Sequence, residues 1–141
     1  MSKKIKKKTR SENGVGIRPT TLKREGVSFS FKYLDTNNDK FAYRSQSINY
    51  WTTVLDRLKA LSDLTALELI RNRSQALRCH PIDWSTTSES GFGIPSEEQL
   101  VQVPYQFSLS SNAHGRIHGF FIEEVFYIVW LDPNHLLYNS K

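Results

Sequence analysis

Chemistry-bearing side chains crowd into the last quarter of the chain. Between residues 103 and 138 stand three of the four histidines, together with Arg116 and several tyrosines. Arg116 and His118 are two apart, so on a strand both project from one face while Ile117 takes the other. A guanidinium stabilises a phosphoryl transition state, and a histidine near neutrality serves as general acid or base. His135 and Tyr138 follow close to the C-terminus, a pair able to orient a substrate or shuttle a proton. The blander readings are a surface Arg and His, a turn histidine and a core tyrosine. Asp132, in Asp132-Pro133-Asn134, is most simply the first residue of a β-turn.

Other spacings point to less. His114 and His118 are four apart, which would aim both at one ion on a helix, but Gly115 and Gly119 argue for strand. No Cys pair or acidic cluster joins them, so no metal site is expected. Arg78-Cys79-His80 offers a thiol, a base and a charge that lowers the thiol pKa. In an extended segment, however, Cys79 and His80 point opposite ways, and a buried structural cysteine is the simpler reading. His80 precedes Pro81, is held extended, and reaches toward the sheet from its loop. Gly91-Phe92-Gly93 lacks the third glycine and the strand–helix setting of a phosphate-cradling loop. No cofactor is implied.

These residues need a scaffold, and the apolar pattern supplies one. Val27, Phe29, Phe31 and Tyr33 alternate with polar residues as in a half-buried strand, and residues 40–44 read as a short second one. Ile48, Trp51, Leu55, Leu58 and Leu61 predict a helix from about 47 to 61, with Ser47 as N-cap. Thr65 and Glu68 fit a capping box for a second helix, whose stripe would be Leu67, Ile70 and Leu77. The short link between the two favours an antiparallel hairpin. Residues 78–102 form a long loop that Trp84 and Phe92 should pin to the body, with one helical turn at 96–100.

Then come Tyr105, Phe107 and Leu109 on one side of a strand, with Gln106, Ser108 and Ser110 on the other. A second strand carries Ile117 and Phe121 against Arg116 and His118. Val125 to Leu131 is apolar on both faces, hence a central strand. Residues 135–138 read as a short last strand. The expected class is α+β: a helical hairpin on one face of a mainly antiparallel sheet of four to five strands. Arg116 and His118 would lie on the opposite, open face.

With 141 residues, one domain over 27–141 is expected, behind a mostly disordered basic tail over 1–26. The net charge of +5 belongs to that tail: Lys3, Lys4, Lys6, Lys7, Lys8 and Arg10 face no acid, and the rest of the chain is at −1. Such an arm attracts phosphate by counterion release, or is simply solvated. No apolar run approaches the roughly 20 residues of a membrane helix. With Cys79 as the single cysteine, no internal disulfide forms, which suits a reducing cytoplasm.

The blocks FSFKYLD (29–35), RCHPIDW (78–84), GFGIPSEEQL (91–100), PYQFSLS (104–110) and HGRIHGFFIEEVFYIVWLDPNHLLY (114–138) resemble a family of small bacterial hypothetical proteins, which brings no activity with it. The order of elements is similar to that of the RelE/YoeB/ParE toxin superfamily. That resemblance implies either metal-independent mRNA cleavage or attack on gyrase. For the nucleases it implies an arginine on a middle strand, here Arg116, and a C-terminal His and Tyr, here His135 and Tyr138. The long 78–102 loop, the near-neutral body and the spacing of His135 and Tyr138 depart from that pattern.

The leading expectation is a cytoplasmic, metal-independent endoribonuclease of toxin or phage-defence type. His135 or His118 would remove the 2′-hydroxyl proton, Arg116 would stabilise the phosphorane and Tyr138 would place the substrate. His80 and the Lys-rich tail would bind nucleic acid. Partners would be RNA or the ribosome, with an antitoxin or defence-complex protein. The alternatives are a non-catalytic subunit binding nucleic acid or protein in a defence or mobile-element complex, and a Cys79-based hydrolase.

Overall fold

The computed structural model describes residues 26–72, 74, 77–111 and 114–138. The proposed nucleic-acid-binding tail residues Lys3, Lys4, Lys6, Lys7, Lys8 and Arg10 lie outside the described residues. Gly26, assigned to the tail, instead packs against α-hairpin backbone: a Cβ there would sit 1.8 Å from the Ser62 carbonyl oxygen.

Strands β1 (Ser28–Ser30), β2 (His80–Pro81), β3 (Pro104–Ser108), β4 (Arg116–Ile122) and β5 (Val125–Asp132) form one sheet in the order β1-β5-β4-β3-β2. All neighbours are antiparallel except β1, which runs parallel to β5. The apolar run of β5 has strands on both sides and is buried on both faces, as its lack of alternation requires. Helices α1 (Ile48–Leu61) and α2 (Ala66–Arg71) cover one face, burying Phe107, Ile117, Phe126, Ile128 and Leu131. The class is α+β.

Both helix starts follow their local code. Tyr50 N donates to Ser47 Oγ at 3.2 Å, and Thr65 and Glu68 complete a reciprocal capping box. The buried stripes differ from those the spacing suggested. α1 buries Tyr50, Val54, Leu58 and Leu61, while Ile48 and Leu55 are 78% and 67% exposed. α2 is a turn and a half long and buries Ala66 and Leu69, leaving Leu67 outside.

The opposite face is not open. Residues 31–46, residues 82–102 and the C-terminal turn fold across it, and Phe41, Ile82, Phe92, Phe120, Val129, Trp130 and Leu137 form a second core there. Residues 40–44 and 135–138, expected as strands, are turns and coil that serve this cover. Trp84 and Phe92 pin the long loop as anticipated, with ring centroids 5.1 Å apart and Phe92 a further 5.1 Å from Trp130. A register shift opposite His118/Gly119 leaves Val129 as an extra residue in β5, so Val129 and Trp130 both join the second core. α3 (Glu97–Leu100) forms where one turn was expected. Ser96, at its N-cap, has φ +58 and makes no side-chain cap, and the Glu97 carboxylate accepts from Phe92 N and Gly93 N, each at 2.8 Å.

Candidate functional site

Register places the polar residues of the covered face in two rows across the strands. His80, Gln106, His118 and Trp130 are successive partners from β2 to β5. Ser108, Arg116 and Asp132 form the adjacent row from β3 to β5. Strand parity therefore behaves as the sequence predicted, with Ile117 and Phe107 on the helix side and Arg116 and His118 opposite. What differs is exposure.

His118 is fully buried, its ring edge-on to Phe41 and Trp130 at 6.1 and 5.9 Å. Neither ring nitrogen has a hydrogen-bond partner among the described residues. Burial above all, then the charges of Arg116, His135 and His80, push its imidazole down to about 3. The 3.9 Å approach of its Nε2 to Asp132 Oδ2 is thus a contact of a neutral ring, not an ion pair. The expectation that His118 stands on an open face as an acid–base group is corrected. A ring with no solvent exposure and no hydrogen-bonded exit cannot trade protons with a substrate.

Arg116 and His135 are nearer the surface. Arg116 is half-buried, and its guanidinium donates to the Gly115 carbonyl at 3.2 Å. Burial and then the neighbouring Arg78 lower its pKa, while Asp132 acts the other way. His135 is exposed and its pKa is lowered, by desolvation first, then by Arg116; Asp132 opposes and Arg78 adds to the fall. These mutual effects place Arg78, Arg116, Asp132 and His135 within one electrostatic neighbourhood.

Asp132 organises that neighbourhood. It ends β5 at 1% exposure, and its two carboxylate oxygens accept from Leu136 N at 2.8 Å and Leu137 N at 3.0 Å. The turn so cinched holds His135 in the left-handed region at φ +59. Burial keeps the Asp132 carboxyl above its usual range despite those two amides. Gly115 lets the turn approach: a Cβ there would fall 2.0 Å from the Asp132 carbonyl oxygen. Arg78, at φ +48, is a second left-handed residue in the same cluster. Non-glycine backbone strain of this kind concentrates at functional positions.

A cleft of about 490 Å³ opens beside this cluster, lined by Asn72, Ser74, Arg78, Cys79, His80, Pro81 and Arg116. His80 is exposed on its wall. His80 Nδ1 meets the Pro81 carbonyl at 2.9 Å, Gln106 Nε2 meets His80 Nε2 at 2.9 Å, and the Tyr138 ring lies 6.4 Å away. Tyr138 is half-buried with a raised pKa, caused first by burial. The structure thus brings Arg116, His135, His80 and Tyr138 to one region, with His118 beneath them.

Sequence reasoning undervalued three residues. Arg78 was weighed only as a neighbour of Cys79, although it lines the same cleft as His80 and Arg116. Gln106 and Ser108 were placed on the right face, yet their burial at 4% and 0% was not foreseen. Cys79 itself is buried in the helix-side core, facing away from His80 as alternation required. His114 sits in the turn before β4 against Tyr50, apart from His118. Among the described residues no three His, Cys, Asp or Glu side chains converge to hold a metal ion, and no helix is long and apolar enough to cross a membrane.

Fold and site together define an α+β protein with a cationic, histidine-bearing cleft above a buried polar row. No family model matches the chain, and neither a curated protein nor a solved structure matches it.

Proposed function

We propose that the protein is an endoribonuclease that cleaves RNA by acid–base chemistry without a metal, in the manner of toxin or phage-defence nucleases. The observation that carries this reading is the gathering of Arg78, Arg116 and His135 beside the His80 cleft. Two guanidiniums fit a phosphodiester. His135, its pKa lowered, is neutral at physiological pH and so ready to accept a proton. In the proposed step His135 takes the proton of a ribose 2′-hydroxyl and the 2′-oxygen attacks phosphorus. The P–O5′ bond breaks, giving a 2′,3′-cyclic phosphate and a 5′-hydroxyl that draws its proton from water in the open cleft. Arg116 stabilises the phosphorane charge. Tyr138 and His80 hold the adjoining nucleotide. Within this reading the protein works in the cytoplasm on RNA or on the ribosome, restrained by an antitoxin or defence-complex partner, and the Lys-rich tail adds non-specific phosphate attraction.

Incubation of the purified protein with RNA, alone and with ribosomes, in the presence of chelator, tests this. Cyclic-phosphate ends should appear, and Arg116→Ala or His135→Ala should each lower the rate by about 10²–10⁴-fold. Absence of cleavage in every condition, or full activity of both variants, sinks the proposal.

A further inference from the structure

The turn that leaves α2 sets two hydrogen-bond donors side by side on the wall of the cleft. Asn72 caps α2, its backbone N–H donating to the Leu69 carbonyl at 3.2 Å. Its side-chain oxygen then accepts from Ser74 N at 2.8 Å. A backbone N–H can only donate, so the amide atom facing it must be Oδ1, and Nδ2 is left with its protons to give. Ser74 closes the turn: Leu77 N donates to its Oγ at 3.3 Å and Arg78 N to its carbonyl at 2.9 Å. The Ser74 hydroxyl proton is thus directed away from the turn. Leu77 anchors the segment in the helix-side core.

Asn72 and Ser74 line the cleft together with Arg78 and Arg116. The acceptors among the lining side chains are already engaged within the protein. Asn72 Oδ1 and Ser74 Oγ serve the turn, His80 meets the Pro81 carbonyl and Gln106 through its two ring nitrogens, and Cys79 is buried in the core. What these side chains present to a ligand is therefore donors: one amide, one hydroxyl and two guanidiniums.

Two adjacent donors call for two adjacent acceptors on a base edge. Adenine sets N7 beside an amino donor, and the carbonyls of uracil are separated by N3–H. Guanine carries N7 and O6 side by side, and cytosine carries O2 and N3. The sugar decides between these two. In an anti nucleotide the N7 edge of a purine lies on the side of its own 5′-phosphate, whereas the O2/N3 edge of cytosine points away from it. One cleft holds both the donor pair and the guanidiniums that fit a phosphate, so guanine meets both demands at once.

We propose that Asn72 and Ser74 are a base-reading pair that selects guanine, so that RNA in this cleft is cut on the 5′ side of guanosine. The selection of guanine follows from the cleft alone; the position of the cut rests on the nuclease reading. Arg78 and Arg116 hold the 5′-phosphate of the guanosine, and the preceding nucleotide lies with His80 and Tyr138. Guanosine then leaves with the 5′-hydroxyl end.

Titration of the full chain with 5′-GMP, 5′-AMP, 5′-CMP and 5′-UMP, followed by NMR, tests the pair without any cleavage. 5′-GMP should bind about 5–150-fold more tightly than 5′-AMP, the discrimination expected of a two-bond base contact. Asn72→Asp keeps the oxygen that holds Ser74 N and turns the neighbouring donor into an acceptor. That variant should bind all four less well and lose the GMP-over-AMP preference, or invert it, because adenine offers an amino donor beside N7. Arg78→Ala should weaken all four alike and leave the preference unchanged. Equal binding of the four nucleotides, no binding of any, tighter binding of 5′-CMP, or a preference that survives Asn72→Asp overturns the proposal. Cleavage of RNA with no bias toward guanosine overturns it too, while leaving the nuclease reading standing. Selective 5′-GMP binding by a protein that cuts no RNA has the opposite meaning: the base-reading pair holds and the nuclease reading falls.

Discussion

His118 is the residue through which acid should act on this protein. Folded, its ring takes a proton only near pH 3; unfolded, it does so near its ordinary value of about 6.5. Between those values the unfolded chain binds more protons. The histidine's contribution is therefore intact above about pH 6.5 and is lost as pH falls toward 3, at up to about 1.4 kcal/mol per pH unit. Asp132, held above its usual range, binds its proton earlier when folded and works in the opposite direction. His118→Leu removes one contribution and leaves the other. Urea midpoints of the variant should fall less steeply with acid than those of the unaltered protein. At neutral pH the two should be similar, since leucine also removes two buried unpartnered nitrogens. Parallel curves down to pH 4 would refute this account of the ring.

Among elements, the C-terminal turn matters most, because it carries His135. Its backbone hangs on one carboxylate, so Asp132→Ala should cost about 2–5 kcal/mol, the loss of two charge-assisted bonds to partly or fully buried amides. Asp132→Asn, with one oxygen left to accept, should recover part of it; denaturant unfolding reads both, and an Ala variant as stable as the native protein would show that the turn is held otherwise. Asp132-Pro133-Asn134 was legible as a turn, but its role as an anchor for residues 136 and 137 was not, because that depends on how the turn folds back. Helix caps were legible for the converse reason: Ser47 and Thr65–Glu68 act within four residues of chain. The buried stripe of α1 was ambiguous. Leu58 lies between a face with Ile48 and Leu55 and one with Tyr50 and Val54. The sheet beneath selected the second, and no local pattern could say so.

The whole molecule is a sheet covered on both sides, by helices on one and by irregular chain on the other. Parity within β3 and β4 could be read from alternation, and so could the shared face of Arg116 and His118. The cover could not. Its aromatics, Phe41, Trp84 and Phe92, come from segments with no period, and the extra residue in β5 turns Val129 and Trp130 to the same side. The contact of His80 with Gln106 likewise awaited a pairing between strands some 26 residues apart. This architecture makes the accessibility of the histidines a measurable property. Diethyl pyrocarbonate carbethoxylates neutral imidazoles that solvent can reach. At neutral pH it should label the exposed His80 and His135 while sparing His118, which has no exposed surface. Phe41 stacks on Trp130 at 4.3 Å and closes the box around that ring. Phe41→Ala should cost about 3–5 kcal/mol and, while the protein is still folded, make His118 reactive. Peptide mapping by mass spectrometry separates the sites. Labelling of His118 in the unaltered protein as fast as His80 would mean that the second core does not close over the sheet. A Phe41→Ala protein whose His118 stayed unlabelled would move the shielding from Phe41 to the loop that bears Trp84 and Phe92.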